Sequence, residues 1–381
     1  MKIIHTADWH IGKMLGGFSL LNDQEYFLDG LLALMREERP DALIIAGDVY
    51  DRPVPSGEAV GVLNRFLSKA ILDLKVPVLM TAGNHDSRER LSFGSELLSS
   101  AGLHIAGRLS AFPRKVTLMD QLGPVHFYLL PFVDPAAANS LFPDPASKTY
   151  QEAFDKAASP IVNVADFSER NVLICHGTFC RVKQDGVSAA EESVGGADLV
   201  DLRQYQDFDY IAAGHIHRKQ NIASNMRYSG SILKYSPNEH NLSPSVTLVE
   251  LGQKGELSIG ERKISILHDL KILKGQFDRL MAREEPDSNY VFAVLEDKEL
   301  ILNAAARMRE KYPNLMGLSY DRKNEERSSS LTAREAREKS LPELFRDFYS
   351  YVNDEEIPPK QLAAIENITG ETAPTEKGGV K

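Results

Sequence analysis

Five apolar segments of this 381-residue chain each end directly in side chains that commonly bind metal ions. The five clusters are Asp8-Trp9-His10, Gly47-Asp48-Val49-Tyr50-Asp51, Gly83-Asn84-His85-Asp86, Cys175-His176-Gly177 and Gly214-His215-Ile216-His217. Short apolar segments of this kind are typical of buried β-strands. In open α/β sheets the carboxyl ends of the strands line one edge, where ligands bind. We therefore expect an α/β fold in which the clusters converge, although 209 residues separate Asp8 from His217 (217 − 8).

The side chains of these clusters form a chemically consistent set of metal ligands. Side chains alternate along extended backbone, so Asp8 and His10 point to the same side, as do His215 and His217. Carboxylate, imidazole and amide oxygen together suit Mn²⁺, Fe²⁺ or Zn²⁺, and the lack of thiolates disfavours a structural zinc site. Eight candidate groups exceed the needs of one ion. They fit two ions about 3.5–4 Å apart, bridged by a carboxylate, which is the kind of site that polarises a phosphate. One cluster can arise by chance, but five in succession predict a metal centre.

The pattern of elements changes twice along the chain. Strands and helices alternate over the first 130 residues, consecutive strands with glycine turns follow Gly214, and a second alternation begins near residue 267. These changes predict separate regions. They are a large domain over residues 1–266, a small α/β domain over 267–322, a linker over 323–339, a helix–loop–helix over 340–370 and a disordered tail over 371–381.

Local signals predict individual elements within these regions. The predictions are a helix capped by Asn22 or Asp23, a helix over 57–74, a loop plus one helix within 134–169, a strand over 227–235, sharp turns at Gly47 and Gly83, and a capping box formed by Ser340 and Glu343.

Composition limits the classes of protein that the chain can belong to. Hydrophobic residues at 43% and charged residues at 26% are typical of a folded protein. No apolar run approaches the roughly 20 residues of a membrane helix, and the first ten residues do not predict a signal peptide. Two cysteines cannot form a disulfide framework, so we expect a reducing, cytoplasmic setting. The formal charge of 44 − 54 = −10 excludes binding to a polyanion by bulk charge, so metal ions, local cations or a partner must supply the attraction.

The order of the five motifs, D-x-H, GDxxD, GNHD, H-G and GHxH, resembles that of the calcineurin-like metallophosphoesterases. Within them, the strings HTADWHIGK, FDYIAAGHIHRKQ and YSGSILKYSPNE resemble the SbcD family of bacterial nuclease subunits, relatives of the Mre nucleases. The resemblance covers about residues 1–370 and departs at Ile232, where the family often has proline. It implies an α/β/β/α metallophosphoesterase sandwich with a small α/β capping domain and a C-terminal helical tail.

The resemblance also implies a role for each motif residue. One metal ion, usually Mn²⁺ in the family, would be held by Asp8, His10, Asp48 and His217. The second would be held by Asp48, Asn84, His176 and His215, so that Asp48 bridges the two. His85 would assist the leaving oxygen at the scissile phosphate, Asp86 would orient His85, and Asp51 would support the site without binding metal.

The activity implied by the resemblance is an ATP-dependent double-strand 3′→5′ exonuclease and a single-strand and hairpin endonuclease in DNA repair, recombination and replication. The sequence contains no G-x-x-x-x-G-K-[ST] motif, so ATP must be bound by a partner. The implied partner is an SbcC-like coiled-coil ATPase, which we expect to bind the helices within 340–370. A homodimer, a cytoplasmic, nucleoid-associated location and no membrane are also implied. Six basic residues near the clusters are candidates for phosphate contacts: Arg88, Arg90, Arg181, Lys183, Arg218 and Lys219.

Two other functions remain open at this stage. The chain could be another enzyme of the superfamily, acting on small phosphodiesters or phosphoproteins, although residues 267–368 would then have no evident use. It could also be a scaffold that has lost its chemistry, although all eight groups are present. Other notable residues receive structural interpretations: His5 as a hydrogen-bonded core residue, and Cys175 and Cys180 as buried thiols.

Overall fold

The computed structural model describes residues 1–183, 186–188, 198–321, 339–353 and 356–369. The predicted linker over 323–339, apart from residue 339, and the predicted disordered tail over 371–381 lie outside the described residues. The chain divides into two compact units, Met1–Asp321 and Arg322–Lys381.

The first unit contains twenty described strands and eight α-helices. The strands are β1 (Lys2–Thr6), β2 (Met14–Leu15), β3 (Phe18–Ser19), β4 (Ala42–Ala46), β5 (Val78–Thr81), β6 (Leu103–Ala106), β7 (Arg114–Asp120), β8 (Gly123–Leu129), β9 (Arg170–His176), β10 (Thr178–Lys183), β11 (Gly186–Ser188), β12 (Leu199–Asp201), β13 (Tyr210–Gly214), β14 (Gln220–Ala223), β15 (Met226–Tyr228), β16 (Val246–Leu251), β17 (Leu257–Arg262), β18 (Leu270–Gly275), β19 (Tyr290–Leu295) and β20 (Leu315–Tyr320). The helices are α1 (Leu21–Glu38), α2 (Gly57–Ser68), α3 (Arg88–Leu91), α4 (Ser95–Ser99), α5 (Pro135–Leu141), α6 (Tyr150–Val164), α7 (Phe277–Met281) and α8 (Ala304–Met308).

Two six-stranded sheets form the centre of this unit. The first has the order β17-β16-β1-β4-β5-β6, and the second has the order β14-β15-β13-β9-β8-β7. Strands β1, β4, β5 and β6 are parallel to one another, and so are β8, β9, β13 and β15. Their carboxyl ends therefore lie along one edge of each sheet.

Apolar side chains join the two sheets face to face. Ile3, Ile44 and Leu79 of the first sheet belong to one buried cluster with Phe127 and Ile174 of the second. Outside the sheets, α1 and α2 bury their apolar faces on the first, and α6 buries its apolar face on the second. Strands covered on both faces need continuous apolar sequence, which explains why all five residues of β4 are buried. The predicted α/β/β/α sandwich is confirmed.

Several predicted elements differ in detail from the structure. Helix α1 begins after Leu20 with no side-chain cap, so the predicted cap at Asn22 or Asp23 is wrong, and the Asp23 carboxylate binds elsewhere. The helix predicted over 57–74 ends at Ser68 and continues as a π-helical turn over Lys69–Asp73. The region 134–169 holds two helices, α5 and α6. The strand predicted over 227–235 is much shorter, because β15 ends at Tyr228.

Residues 267–321, here called the cap segment, form a small α/β layer. Its parallel strands have the order β18-β19-β20, which confirms the predicted alternation of strands and helices. One face of this sheet packs on α7 and α8 around Phe277, Val291 and Met308. Leu270 and Tyr290 instead belong to the core beneath α1. The cap segment is therefore continuous with the core of the larger domain.

The second unit contains α9 (Leu341–Asn353) and α10 (Pro359–Thr369), which agree with the two predicted tail helices. At the start of α9 the Glu343 carboxylate accepts hydrogen bonds of 2.7 Å from both the backbone N–H and the hydroxyl of Ser340. This satisfies a free N–H at the helix start, as half of the predicted capping box. Among the described helices of both units, none combines the length and apolar character needed to cross a membrane.

Candidate metal centre

The polar clusters at the carboxyl ends of the strands meet at one end of the two packed sheets. Ligand atoms of Asp8, His10 and His217 all lie within 4.8 Å of one another, and those of Asp48, His176 and His215 do the same. We call these the first set and the second set. The predicted convergence of distant segments is thus confirmed, while the ligand role of each residue stays a prediction.

The Asp48 carboxylate belongs to the second set and also faces His10 of the first. Its Oδ2 is 3.6 Å from Nε2 of His10 and 3.4 Å from Nε2 of His176. In the first set, Nε2 of His10 lies 3.1 Å from Nε2 of His217. In the second, Oδ1 of Asn84 lies 3.1 Å from Nε2 of His176, and that same oxygen is 2.9 Å from Nδ1 of His215. One carboxylate oxygen of Asp48 therefore lies close to an imidazole nitrogen of each set.

The backbone is held in unusual conformations at four of these residues. Asp8, His10, Asp48 and His215 have φ values of 54°, 44°, 49° and 107°, and they are four of the seven non-glycine residues with positive φ in the described part of the chain. Each such residue costs about 1–3 kcal/mol and keeps this conformation only because its surroundings enforce it. Two loops enforce it here, because the N–H groups of Asp8 and His10 donate to the carbonyls of Gly47 and Asp48.

Three glycines give the clusters room to approach. Gly47 has φ +86°, as its predicted turn requires, and a Cβ there would collide with the His176 ring. Gly83 lacks a positive φ, and a Cβ there would collide with Asp48, so this close approach requires glycine at that position. A Cβ on Gly214 would collide with the carbonyl of Ala46. The close approach of the loops that follow the strands, more than turn geometry, explains these glycines.

Neighbouring groups fix the orientation of the histidine rings. Nδ1 of His176 donates to the Ala46 carbonyl at 2.9 Å, and Nδ1 of His217 donates to the Glu239 carboxylate at 2.9 Å. The other oxygen of Glu239 accepts the N–H of Tyr235 at 2.7 Å. These contacts leave Nε2 of each ring directed into the site. Glu239 was not among the predicted site residues, although it lies in the string YSPNE that supported the resemblance.

His85 and Asp86 do not form the predicted pair. Nδ1 of His85 donates to the Asp51 carbonyl at 2.9 Å, which leaves Nε2 available at the half-exposed edge of the site. The Asp86 carboxylate instead accepts the backbone N–H groups of Val49, Tyr50 and Gly83. The expected orientation of His85 by Asp86 is therefore wrong. Asp86 is buried and connects the loop that contains Asp48 to the loop that contains Asn84 through these hydrogen bonds.

Asp51 lies beside the outer nitrogen of His10. Its Oδ1 is 3.7 Å from Nδ1 of His10 and 2.8 Å from Nζ of Lys13. Nδ1 of His10 is buried and has no hydrogen-bond partner, so the nearby carboxylate favours a proton on that atom and a free lone pair on Nε2. Ligand atoms of Asp51, His10 and His85 also lie within 4.8 Å of one another, so the role of Asp51 outside the ligand sets stays a prediction.

Burial and mutual interactions perturb the titration of this cluster strongly. Burial raises the pKa of Asp8 to about 6, and burial lowers the pKa of His10 to about 2 and that of His215 to about 4. Burial alone would lower the pKa of His176, but the Asp48 carboxylate raises it to about 9. A buried cluster with two carboxylates requires compensating positive charge, from protons or from bound cations. Oxygen and imidazole donors that face a common centre fit a pair of divalent cations.

The candidate phosphate contacts divide into paired and exposed residues. Arg88 forms an ion pair with Asp134 at 2.5 Å, and Lys219 forms one with Glu261 at 2.6 Å, so both positive charges are partly neutralised. Arg90 and Arg218 are exposed. The side chains of Arg181 and Lys183 lie outside the described part of the chain.

The sandwich and the clustered carboxylate, amide and imidazole side chains are typical of a metal-dependent phosphoesterase. In agreement, residues 1–219 match the family described as calcineurin-like phosphoesterase, and residues 266–353 match the type 5 capsule protein repressor C-terminal domain. The chain is also 30% identical over 378 residues to the SbcD subunit of nuclease SbcCD from Staphylococcus epidermidis, covering 97% of this chain and 98% of that protein. The protein of the same name from Staphylococcus saprophyticus is 30% identical over 387 residues, covering 99% and 100%.

The chain therefore belongs to the calcineurin-like phosphoesterases and, within them, to the family of the SbcD nuclease subunits. It is a phosphodiester hydrolase, and its family implies divalent metal ions. Among solved structures, a dimetal phosphatase from Danio rerio superposes with a TM-score of 0.41 at 15% identity, covering 70% of this chain and 98% of that one.

Proposed function

We propose that the chain cleaves DNA phosphodiester bonds as the nuclease subunit of an SbcCD-type complex, with two Mn²⁺ ions. The observation that supports this most directly is the Asp48 carboxylate, which belongs to the second set and also faces His10 of the first. Asp8, His10, Asp48 and His217 would hold one ion. Asp48, Asn84, His176 and His215 would hold the other.

When bound, the two ions would neutralise phosphate charge and lower the pKa of a coordinated water to near neutrality. The protein then has to position the phosphate and supply a proton to the departing oxygen. His85 suits the second task as an imidazolium, because the Asp51 carbonyl accepts its Nδ1–H and leaves its Nε2–H to be transferred. Its ring lies edge-on to His10 with centroids 4.7 Å apart, next to the first set. Asp86 would act through the loops it braces.

The local chemistry explains how an acidic chain could bind a polyanion. The formal charge of −10 opposes DNA binding at long range, so attraction would come from the cations at the site and from the exposed Arg90 and Arg218. The relatives carry the name of a nuclease, which supports DNA as the substrate. We extend this to ATP-dependent double-strand 3′→5′ exonuclease and single-strand and hairpin endonuclease activity, in DNA repair, recombination and replication.

The tail helices are the proposed docking site for the SbcC-like coiled-coil ATPase. Helix α9 has an apolar stripe at Leu341, Leu344, Phe345 and Phe348, and the Phe345 and Phe348 rings lie 6.2 Å apart. Such a stripe fits the groove or surface of a helical partner. Deletion of residues 340–381 should abolish co-purification with the ATPase and spare Mn²⁺-dependent hydrolysis of a small phosphodiester. Deletion of 371–381 alone is the matched control, and unchanged co-purification after the longer deletion would reject the docking site.

We also propose that the chain forms a homodimer. Its interface would consist of α2, the π-helical turn, α3 and α4. These elements line a groove of about 490 Å³ with apolar side chains that include Leu67, Ile71 and Leu98. Phe93 beside it is 86% exposed. Exposed apolar surface of this kind marks protein interfaces. Phe93→Ser should shift the chain toward monomer in analytical ultracentrifugation, whereas Met119→Ser, at an exposed residue of β7, should not.

The domain boundaries and the location belong to the same proposal. Residues 1–266 would be the nuclease domain, 267–322 a capping domain that helps to hold DNA, 323–339 a linker, 340–370 the partner-binding helices and 371–381 a disordered tail. A chain of this kind would work in the cytoplasm, associated with the nucleoid.

A nuclease assay with two substrates tests the proposal. The purified chain, with and without the ATPase and ATP, would be given hairpin DNA and bis-p-nitrophenyl phosphate in Mn²⁺. Cleavage of both substrates, with ATP dependence only in the complex, is expected. Hydrolysis of the dye without cleavage of DNA in the complex would favour a hydrolase of small phosphodiesters or phosphoproteins. Failure to bind metal would favour a scaffold without chemistry.

A further inference from the structure

Helix α1 presents two adjacent buried polar side chains, Asp23 and Gln24, in its first turn. Their exposed fractions are 2% and 0%, among otherwise apolar buried positions of the helix. Buried polar groups persist in proteins when they are hydrogen-bonded. Both side chains are fully engaged, but they bind different parts of the molecule.

Gln24 binds the loop that presents His10 to the site. Its Nε2 donates to the carbonyls of Trp9 and His10 at 3.0 and 2.7 Å, and its Oε1 accepts the N–H of Gly12 at 2.9 Å. The Tyr235 hydroxyl also donates to the Trp9 carbonyl. Because His10 has a left-handed φ of 44°, its position depends on such external hydrogen bonds.

Asp23, one residue earlier, binds the cap segment. Its Oδ1 accepts the backbone N–H and the ring Nδ1 of His268, each at 3.0 Å. Its Oδ2 accepts the Tyr290 hydroxyl at 2.8 Å. The same turn of a rigid helix therefore connects the cap segment to the His10 loop.

A second connection reaches the other histidine of the first set. Asp269 of the cap segment forms an ion pair of 2.7 Å with Lys234, which precedes Tyr235. The backbone N–H of Tyr235 donates to Glu239, and Glu239 accepts from His217. The Tyr235 ring also packs edge-on to His10 and His217, with centroid distances of 5.3 and 5.7 Å.

The second set is supported from other directions. His176 donates to the Ala46 carbonyl, and the Phe132 ring packs against His176 and His215. Both supports belong to the two central sheets and their loops. The two described connections from the cap segment thus end at the same half of the centre.

We propose that the cap segment sets the geometry of the first set, Asp8–His10–His217, through Asp23–Gln24 and Lys234–Asp269, and so tunes the affinity of that metal subsite alone. Asp23, Gln24 and Tyr290 are positioning residues in this scheme. The inference rests on the proposed metal centre. Coupling of this kind is reciprocal, so metal bound at the first set also stabilises the cap junction.

The test measures Mn²⁺ binding by calorimetry in two single-site backgrounds. His215→Ala leaves the first set intact, and His217→Ala leaves the second. Tyr290→Phe, which removes one hydroxyl from the junction, should weaken binding about 2- to 10-fold in the first background, as the loss of one hydrogen bond predicts. It should change binding less than about 2-fold in the second. Equal losses in both backgrounds, or no loss in the first, would overturn the proposal.

Tyr312→Phe is the matched control, because it removes a 2.7 Å hydrogen bond to the Leu280 carbonyl within the cap segment. It should leave binding unchanged in both backgrounds. Gln24→Met should reproduce the selective loss, and its combination with Tyr290→Phe should be less than additive, since both act on one connection.

Hydrogen exchange of the otherwise unaltered chain gives an independent readout. Mn²⁺ should slow exchange of the peptide that contains the His268 amide, and lack of protection there would also overturn the coupling. If the unaltered chain binds no Mn²⁺, the proposed metal centre itself fails, which separates the two conclusions.

Discussion

Replacement of Glu239 by glutamine tests how the His217 ring is held. The Glu239 carboxylate accepts two hydrogen bonds, from His217 Nδ1 at 2.9 Å and from the Tyr235 N–H at 2.7 Å, and it is 9% exposed. Glutamine has the same shape but only one oxygen. Either the imidazole or the backbone N–H must then face an NH₂ group, and a buried donor without a partner costs about 1–3 kcal/mol.

The loss should appear mainly in metal affinity. Without a carboxylate at Nδ1, the His217 ring is a weaker base at Nε2 and its orientation is less restricted. Removal of such an orienting carboxylate typically weakens metal binding about 10- to 100-fold. We expect this for one of two Mn²⁺ ions, with hydrolysis of bis-p-nitrophenyl phosphate largely restored at saturating Mn²⁺. Calorimetric titration and the dependence of kcat on Mn²⁺ concentration measure both effects.

Glu250→Gln is a matched control, because Glu250 is an exposed carboxylate on β16. It should change neither the metal affinities nor the rate. If Glu239→Gln retains both affinities within about 2-fold, well below the expected loss, Glu239 does not orient His217. A large fall in the melting temperature with equal loss at both sites would show that the residue acts on folding instead.

Three further predictions address the other parts of the site. His85→Ala should retain both metal ions in calorimetry but lose about 10²- to 10⁴-fold in hydrolysis, as expected for a proton donor, and loss of metal would contradict that role. Asp48→Ala should weaken both ions, and two tightly bound ions in this variant would remove Asp48 as the bridge. Because the pKa of His176 is raised to about 9, its ring is protonated at pH 7 without metal and must lose that proton to bind. Metal affinity should therefore rise with pH toward 9, and calorimetry in buffers of different ionisation enthalpy should detect proton release at pH 7; no release would refute the assignment.

The local sequence was sufficient to predict most of the central strands and the convergence of the metal-type side chains at their ends. An apolar segment that stops at Asp8, Asp48 or His176 indicates both a strand and its end. Parallel strands then bring those ends to one edge, so the convergence followed from the fold class. The prediction of Asp23 as a helix cap failed because it considered only nearby residues. The partners of the Asp23 carboxylate are His268 and Tyr290, which are remote in sequence.

The sequence by itself determined which side chains could bind metal and that they would meet at the ends of the strands, because both depend on residue type and on short periodic patterns. Only the tertiary structure decided which groups hold those side chains in place. Glu239 accepts a hydrogen bond from His217, and Gln24 donates to the loop that contains His10. Asp86 accepts hydrogen bonds from the loops that contain Asp48 and Asn84. A buried polar side chain must bind whichever unsatisfied donors or acceptors packing brings within about 3 Å of it. Those partners come from remote parts of the chain, so no local pattern could identify them.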